Sequence, residues 1–252
     1  MNELRSLRGT HVLLTGATGG VGQALLSELG SRGAKIFATA RSQDKLDAAI
    51  RRIDQTSPAT TVRAVSVDLT SPLNLKGVVN SALEWFDGRI DVLINNAGVG
   101  YHCKTSDIIP DEVIEVLTVN AVAPIILTTL ALPGLRQSPA PKVVNISSFL
   151  GSKALPLTAT YTASKHALNG YSKVLRIEEA HANLSVTVIE PGAIDTDFIK
   201  RTHDATAVQQ FGQRKLRKLT AAEIARWVVI VLESPQFACP ELIRICPIEQ
   251  AI

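Results

Sequence analysis

Seven short apolar runs, rich in valine and isoleucine, alternate along this chain with segments of helical periodicity. They are residues 11–15, 35–40, 62–67, 92–95, 143–147, 186–190 and 242–246. Runs of this composition suit strands covered on both faces. Strand, helix, strand in repetition closes into right-handed crossover units. The alternation therefore predicts an α/β fold, a doubly wound, seven-stranded parallel sheet in a single domain over residues 1–252. In open sheets of this kind ligands bind beyond the carboxyl ends of the strands. Several polar residues fall at those ends.

The first such place is Thr15-Gly16-Ala17-Thr18-Gly19-Gly20-Val21-Gly22, between the apolar run His11-Val12-Leu13-Leu14 and a helical segment from Gln23. Glycines let the backbone turn tightly and approach a pyrophosphate, and the helix start offers free N–H groups and the positive end of its dipole. A dinucleotide-phosphate site is the reading, although the spacing is Thr-Gly-x-x-x-Gly-x-Gly rather than Gly-x-Gly-x-x-Gly. The second place is Tyr161-Thr162-Ala163-Ser164-Lys165, which follows an apolar run ending in Ser147 and Ser148. On a helix, positions i and i+4 share a face, so Tyr161 and Lys165 point into one space. A free tyrosine has a pKa near ~10, and a neighbouring cation favours its phenolate. The pair can move a proton to or from an alcohol oxygen.

With these features in place, the chain resembles the short-chain dehydrogenase/reductase family over nearly its whole length. Thr15 to Gly22 matches the family's cofactor loop, and Asp68-Leu69-Thr70 looks like its adenine-contacting segment. Asn95-Asn96-Ala97-Gly98 matches the segment after its fourth strand, and Val119-Asn120 resembles its helix-borne catalytic Asn. Pro191-Gly192-Ala193-Ile194-Asp195-Thr196 matches the segment that holds the nicotinamide carboxamide and pyrophosphate. The family's Ser lies thirteen residues before its Tyr, which selects Ser148, with Ser147 as the alternative. The resemblance implies a Rossmann-type fold and a catalytic group of Asn120, Ser148, Tyr161 and Lys165. It implies a cofactor site of Gly16, Thr18, Gly20, Val21, Gly22, Asp68, Leu69, Asn96, Ala97, Gly98, Tyr161, Lys165, Pro191, Gly192, Ile194 and Thr196. It also assigns Asn120 to a water that links Lys165 to solvent, and gives Asn95 a structural role. Read alone, Asn120 could equally cap a helix or satisfy buried backbone. Tyr101 and His102, just after the Asn-Asn-Ala-Gly segment, could face the substrate or solvent.

The second apolar run ends Ala40-Arg41-Ser42, and no acid occurs between Lys35 and Gln43. NAD-preferring sites place an Asp or Glu there, which also repels a 2′-phosphate. A guanidinium instead fits a phosphate bidentately. In the family this Ala-Arg-Ser pattern goes with NADP. Arg41 and Ser42 therefore join the cofactor set, and NADP(H) is the expected cofactor. The expected function is reduction of a small ketone or aldehyde, or oxidation of a secondary alcohol. The alternative is a catalytically silent NADP(H)-binding regulator, since fold alone does not decide.

Residues 197–219 would form the family's substrate lid. Between Lys200 and Lys218 the chain carries Lys200, Arg201, His203, Arg214, Lys215, Arg217 and Lys218 against one acid, Asp204. The run is either a solvated face or a place where Arg201 or Arg214 meets a substrate carboxylate, with Phe198 and Phe211 as an apolar wall. Net charge is only +3, too mild to argue for nucleic acid or membrane. The three cysteines have no metal-ligand spacing and suit a reducing compartment. The first eight residues lack the apolar core of a signal peptide, so a cytoplasmic protein is expected. A helix over about 119–132, apolar nearly all round, and the helix after Tyr161 would pair with a second copy in a homodimer or homotetramer, as in the family.

Overall fold

The computed structural model describes residues 5–56, 60–196, 198, 202–212 and 216–250. Its centre is a seven-stranded, all-parallel sheet. The strands are β1 (His11–Thr15), β2 (Lys35–Ala40), β3 (Thr61–Ser66), β4 (Val92–Asn95), β5 (Lys142–Ile146), β6 (Ser185–Pro191) and β7 (Leu242–Ile245). They lie in the order β3-β2-β1-β4-β5-β6-β7. The three strands β3-β2-β1 and the four from β4 to β7 thus diverge from the β1/β4 boundary, where the winding reverses and a crevice opens at the carboxyl edge. Strand bounds match the apolar runs to within one residue. The fraying is at ends where one hydrogen bond continues the ladder, as from Ser147 N–H to the Ile189 carbonyl at 2.8 Å.

The helices are α1 (Gly20–Ser31), α2 (Gln43–Thr56), α3 (Pro72–Trp85), α4 (Pro110–Leu117), α5 (Ala123–Leu135), α6 (Ala159–Glu178), α7 (Ala205–Gly212) and α8 (Ala221–Glu233). One core packs Leu25, Leu29, Ile224, Val228 and Leu232 of α1 and α8 on one sheet face. The other packs Val79, Ala82, Leu127, Ala131 and Leu175 of α3, α5 and α6 on the opposite face. Every residue of β4, β5 and β6 is buried, which explains their continuous rather than alternating apolar character.

The apolar helix expected from about residue 119 is different in form. A π turn at Thr118–Val122 joins α4 to α5, and the Ala123 N–H bonds the Thr118 carbonyl five residues back. Pro124 lacks an N–H and cannot continue an α-helical ladder, so the wider turn absorbs the mismatch. The run Pro110–Leu135 has the length and apolarity of a membrane span. Within it Ala123, Leu127, Ala131 and Leu135 are buried in the core shared with β4 and β5.

Candidate active site

Two turns meet at the reversal point. The Thr15 hydroxyl at the end of β1 accepts bonds from the Asn96 and Ala97 N–H groups, each at 3.1 Å. The Asn96 amide donates in return to the Thr15 and Gly16 carbonyls, also at 3.1 Å. Gly16 has φ +68°, and a Cβ there would lie 2.7 Å from Ala97 Cα, so only glycine fits. Thr18, Gly20, Val21 and Gly22 lead from this turn into α1. No side chain caps α1 and its first turn holds no acid, which leaves its N-terminal N–H groups suited to an anion. Asn95 donates to Asn145 Oδ1 at 2.8 Å and Thr128 Oγ1 at 3.2 Å, bridging neighbouring strands as its structural reading expects.

Pro191 ends β6, and the Gly192 N–H donates to the Ile245 carbonyl at 2.7 Å. Ile194 pairs with Leu219 in a short parallel bridge. Flanking bonds run from Asp195 N–H to Leu219 O at 2.8 Å and from Leu219 N–H to Ala193 O at 2.9 Å. Both ends of the 195–218 segment are thereby tied together. Thr196 reaches back to the glycine turn, where a Cβ on Gly20 would sit 2.9 Å from its methyl. On the far side of the crevice, exposed Asp68 accepts the Thr70 N–H at 3.0 Å, which holds its carboxyl below the ordinary range. Leu69 beside it is buried. Ser42 accepts the Lys45 N–H at 3.4 Å. Arg41 extends from the end of β2 and donates through Nη1 to Glu115 Oε1 on α4 at 3.1 Å.

The catalytic candidates converge. Ser148 follows β5 and caps a short 3-10 turn, its hydroxyl accepting the Leu150 N–H at 3.1 Å. The Tyr161 phenol on α6 lies close enough to the same hydroxyl for Ser148 to lower its pKa. Ser147 is buried and its Oγ has no hydrogen-bond partner, so of the two hydroxyls it is Ser148 that meets the phenol. Burial pushes the Tyr161 phenol up to about 12, and Ser148 opposes that rise. Lys165 lies 5.7 Å from the Tyr161 ring centre and donates to the Ile146 carbonyl at 2.9 Å. Burial lowers its pKa to about 8. The expectation that Lys165 draws the phenol pKa down is therefore not met in this structure, because desolvation governs both groups. Asn120 lies on the π turn, and its amide is committed to Val99 N–H and Val99 O, both at 2.8 Å, and to Ser164 Oγ at 3.0 Å. A Cβ on Gly98 would touch Asn120 Oδ1 at 3.4 Å and Lys165 Nζ at 3.7 Å, so Gly98 lies between these two side chains.

Of the two residues left open between substrate and solvent, the structure brings His102 to this group. His102 is 6% exposed, and its ring centre lies 6.0 Å from Tyr161, 5.0 Å from Phe211 and 6.3 Å from Phe198. Phe198 itself stands edge-on to Tyr161 at 5.3 Å and against Gly100, where a Cβ would be 2.6 Å from the ring. The expected aromatic wall is thus present beside Tyr161. Arg201 and Arg214 lie outside the described residues. His102 Nδ1 is 3.2 Å from Thr202 Oγ1, and burial lowers the ring pKa from 6.5 to about 4. The unfolded chain takes up this proton first, so stability falls as pH drops through 6.5 toward 4 and is insensitive to this group above 6.5. From pH 7.5 to 5 the contribution lost is about 2 kcal/mol. Urea midpoints of wild type and His102→Gln measured at both values check this. The variant is expected to lose less stability on acidification, and equal losses would remove the assignment.

A parallel sheet with a glycine turn at its reversal point and a Ser–Tyr–Lys cluster facing it defines a Rossmann-type oxidoreductase domain. Residues 10–207 match the short chain dehydrogenase family, and the chain belongs to that family. A mouse protein described as dehydrogenase/reductase SDR family member 7B is 34% identical over 224 residues, covering 87% of this chain and 69% of that protein. The short-chain dehydrogenase/reductase FrzI of a Cladobotryum species is 31% identical, covering 98% of this chain and 95% of FrzI. Among solved structures, a metagenomic short-chain oxidoreductase in complex with NADP aligns with TM-score 0.80 and 27% identity, covering 96% of this chain and 99% of the other.

Proposed function

We propose that this chain is an NADP(H)-dependent oxidoreductase acting on CH–OH groups, a reductase of a small ketone or aldehyde and equally an oxidant of the alcohol. The observation that carries this reading is the convergence of Ser148 and Lys165 on the Tyr161 phenol, under an aromatic wall. The uncapped start of α1 and the side-chain-free turn at Gly16 fit a dinucleotide. Gly16, Thr18, Gly20, Val21 and Gly22 would hold its pyrophosphate, Asp68 and Leu69 its adenine, and Asn96, Ala97 and Gly98 a ribose. Pro191, Gly192, Ile194 and Thr196 would hold the nicotinamide end.

When bound, the nicotinamide supplies or accepts the hydride. Ser148 holds the carbonyl oxygen of the substrate, and Tyr161 gives that oxygen its proton. A phenol with a pKa of about 12 is protonated at neutral pH, the form a donor needs. Lys165 holds the ribose, and Asn120 fixes the Val99 backbone and Ser164 around it. Phe198, Phe211 and a neutral His102 suit an apolar group beside the carbonyl. A carboxylate-bearing substrate would meet the basic lid. Monitoring NADPH oxidation over a panel of ketones and keto acids tests the reading. Cofactor binding with no turnover on any carbonyl would replace it with a silent NADP(H)-binding role.

The preference for NADP(H) rests on Arg41 and on a β2 end without an acid. The NADP complex of the metagenomic relative supports it. One charge-assisted contact is worth ~1.5–3 kcal/mol, roughly a ten- to hundredfold preference. Arg41→Ala is expected to lower NADPH affinity by about that factor and to leave NADH affinity nearly unchanged. Titration of both cofactors into both proteins checks it, and an unaltered NADPH/NADH ratio would place the 2′-phosphate elsewhere, with Ser42 and Lys45 next in line. The same reading includes a homo-oligomer in a reducing, cytoplasmic setting. Its support is the exposed Ile114 and Val122 at α4–α5, the exposed Val174 and Ile177 on α6, and three free cysteines.

A further inference from the structure

Arg41, at the end of β2, reaches across the adenosine side of the crevice to α4. Glu115 there accepts Arg41 Nη1 on Oε1 at 3.1 Å and the Tyr101 hydroxyl on Oε2 at 2.5 Å. Tyr101 is itself held in place. Its ring stacks on His203 at 6.1 Å with planes 11° apart, and His203 Nε2 lies 3.3 Å from Glu112, one turn earlier on α4. The Tyr101 phenol thus holds one oxygen of the Glu115 carboxylate while the other faces the guanidinium. A carboxylate in that position is a chemical stand-in for a phosphate oxygen: an anionic acceptor bound to the fork.

We propose that Glu115 is a cofactor-specificity residue that competes with the 2′-phosphate of NADP(H) for Arg41. This inference rests on the reading of Arg41 as the 2′-phosphate contact. Binding of a 2′-phosphate brings two negative charges to a guanidinium already neutralised by a carboxylate. The phosphate must displace Glu115 or share the fork with it and bear the repulsion. NAD(H), with a hydroxyl at that position, meets neither cost. Glu115 thus narrows the preference that Arg41 creates, and the chain uses both cofactors more evenly than its acid-free β2 end alone implies. Tyr101 strengthens the effect by keeping the carboxylate aimed at Arg41.

The test is direct titration of NADPH and NADH into wild type, Glu115→Gln, Tyr101→Phe and Arg41→Ala. Glutamine keeps the shape of Glu115 and its one carbonyl oxygen can accept from either Arg41 or Tyr101, so the packing of α4 is retained while the charge is removed. Glu115→Gln is expected to raise NADPH affinity by about three- to tenfold and to leave NADH affinity within about twofold. Tyr101→Phe is expected to shift the ratio in the same direction by less. An NADPH affinity unchanged or weakened in Glu115→Gln overturns the inference. Arg41→Ala separates the two claims. If that variant keeps the wild-type NADPH/NADH ratio, the Arg41 reading itself fails. If it lowers the ratio while Glu115→Gln does not raise it, the Glu115 inference alone fails.

Discussion

Tyr161→Phe is expected to lose at least ~10²-fold in turnover, the low end of what a positioned proton donor supplies. The substitution removes one oxygen from a ring packed against Phe198 and His102, and the ring contacts remain. Affinity for NADPH should change little, because the proposed phosphate and adenine contacts lie on other residues. Steady-state kinetics on the best carbonyl, with a parallel cofactor titration, separates the two quantities. Wild-type turnover in the variant would sink the proton-donor assignment.

Lys165→Met is expected to damage both quantities, since one ammonium is given two tasks. Turnover should fall by at least ~10²-fold and NADPH affinity by about tenfold, the loss of one charge-assisted bond. Unfolding is not the expected cause. The fold lowers the Lys165 pKa from 10.5 to about 8, so it favours the uncharged side chain. Stability from this group rises as pH climbs from 8 toward 10.5 and is lowest where the ammonium is charged. Methionine fills a similar volume without that desolvation, although it gives up the bond to the Ile146 carbonyl. A melting temperature near wild type with both losses present supports the reading. An unaltered cofactor affinity would remove the ribose contact.

The sheet was legible because burial leaves a plain record: strands covered on both faces cannot alternate, and β4, β5 and β6 do not. Tyr161 and Lys165 were legible together from helical spacing, whereas the choice of Ser148 over Ser147 came from the family's thirteen-residue spacing to the tyrosine. What escaped depends on distant partners. His102 reads equally as facing the substrate or solvent, and it is Thr202 and Phe211, about a hundred residues on, that bury it. The Arg41–Glu115 pair joins residues 74 apart, and no periodicity links them. The π turn at Thr118–Val122 follows from Pro124 within an apolar helix, a signal that was present but reads equally as a kink. Burial also reversed the expected electrostatics of Tyr161, since neighbours in sequence say nothing of desolvation.

The bridge between Ile194 and Leu219 makes the segment between them a module. A chain anchored at both ends of an insertion conveys little of the insertion's length or composition to the body it leaves. For a flexible loop, doubling the length costs only about 0.6 kcal/mol in closure entropy. Yet this excursion delivers Phe198 and Phe211 to the ring of His102. On the proposed function, substrate choice and foldability would be written in separable stretches of the same chain. If the lid reading holds, exchanging residues 195–218 for another sequence is expected to redirect substrate choice while the sheet, the glycine turn and the Tyr161 helix are left as they stand.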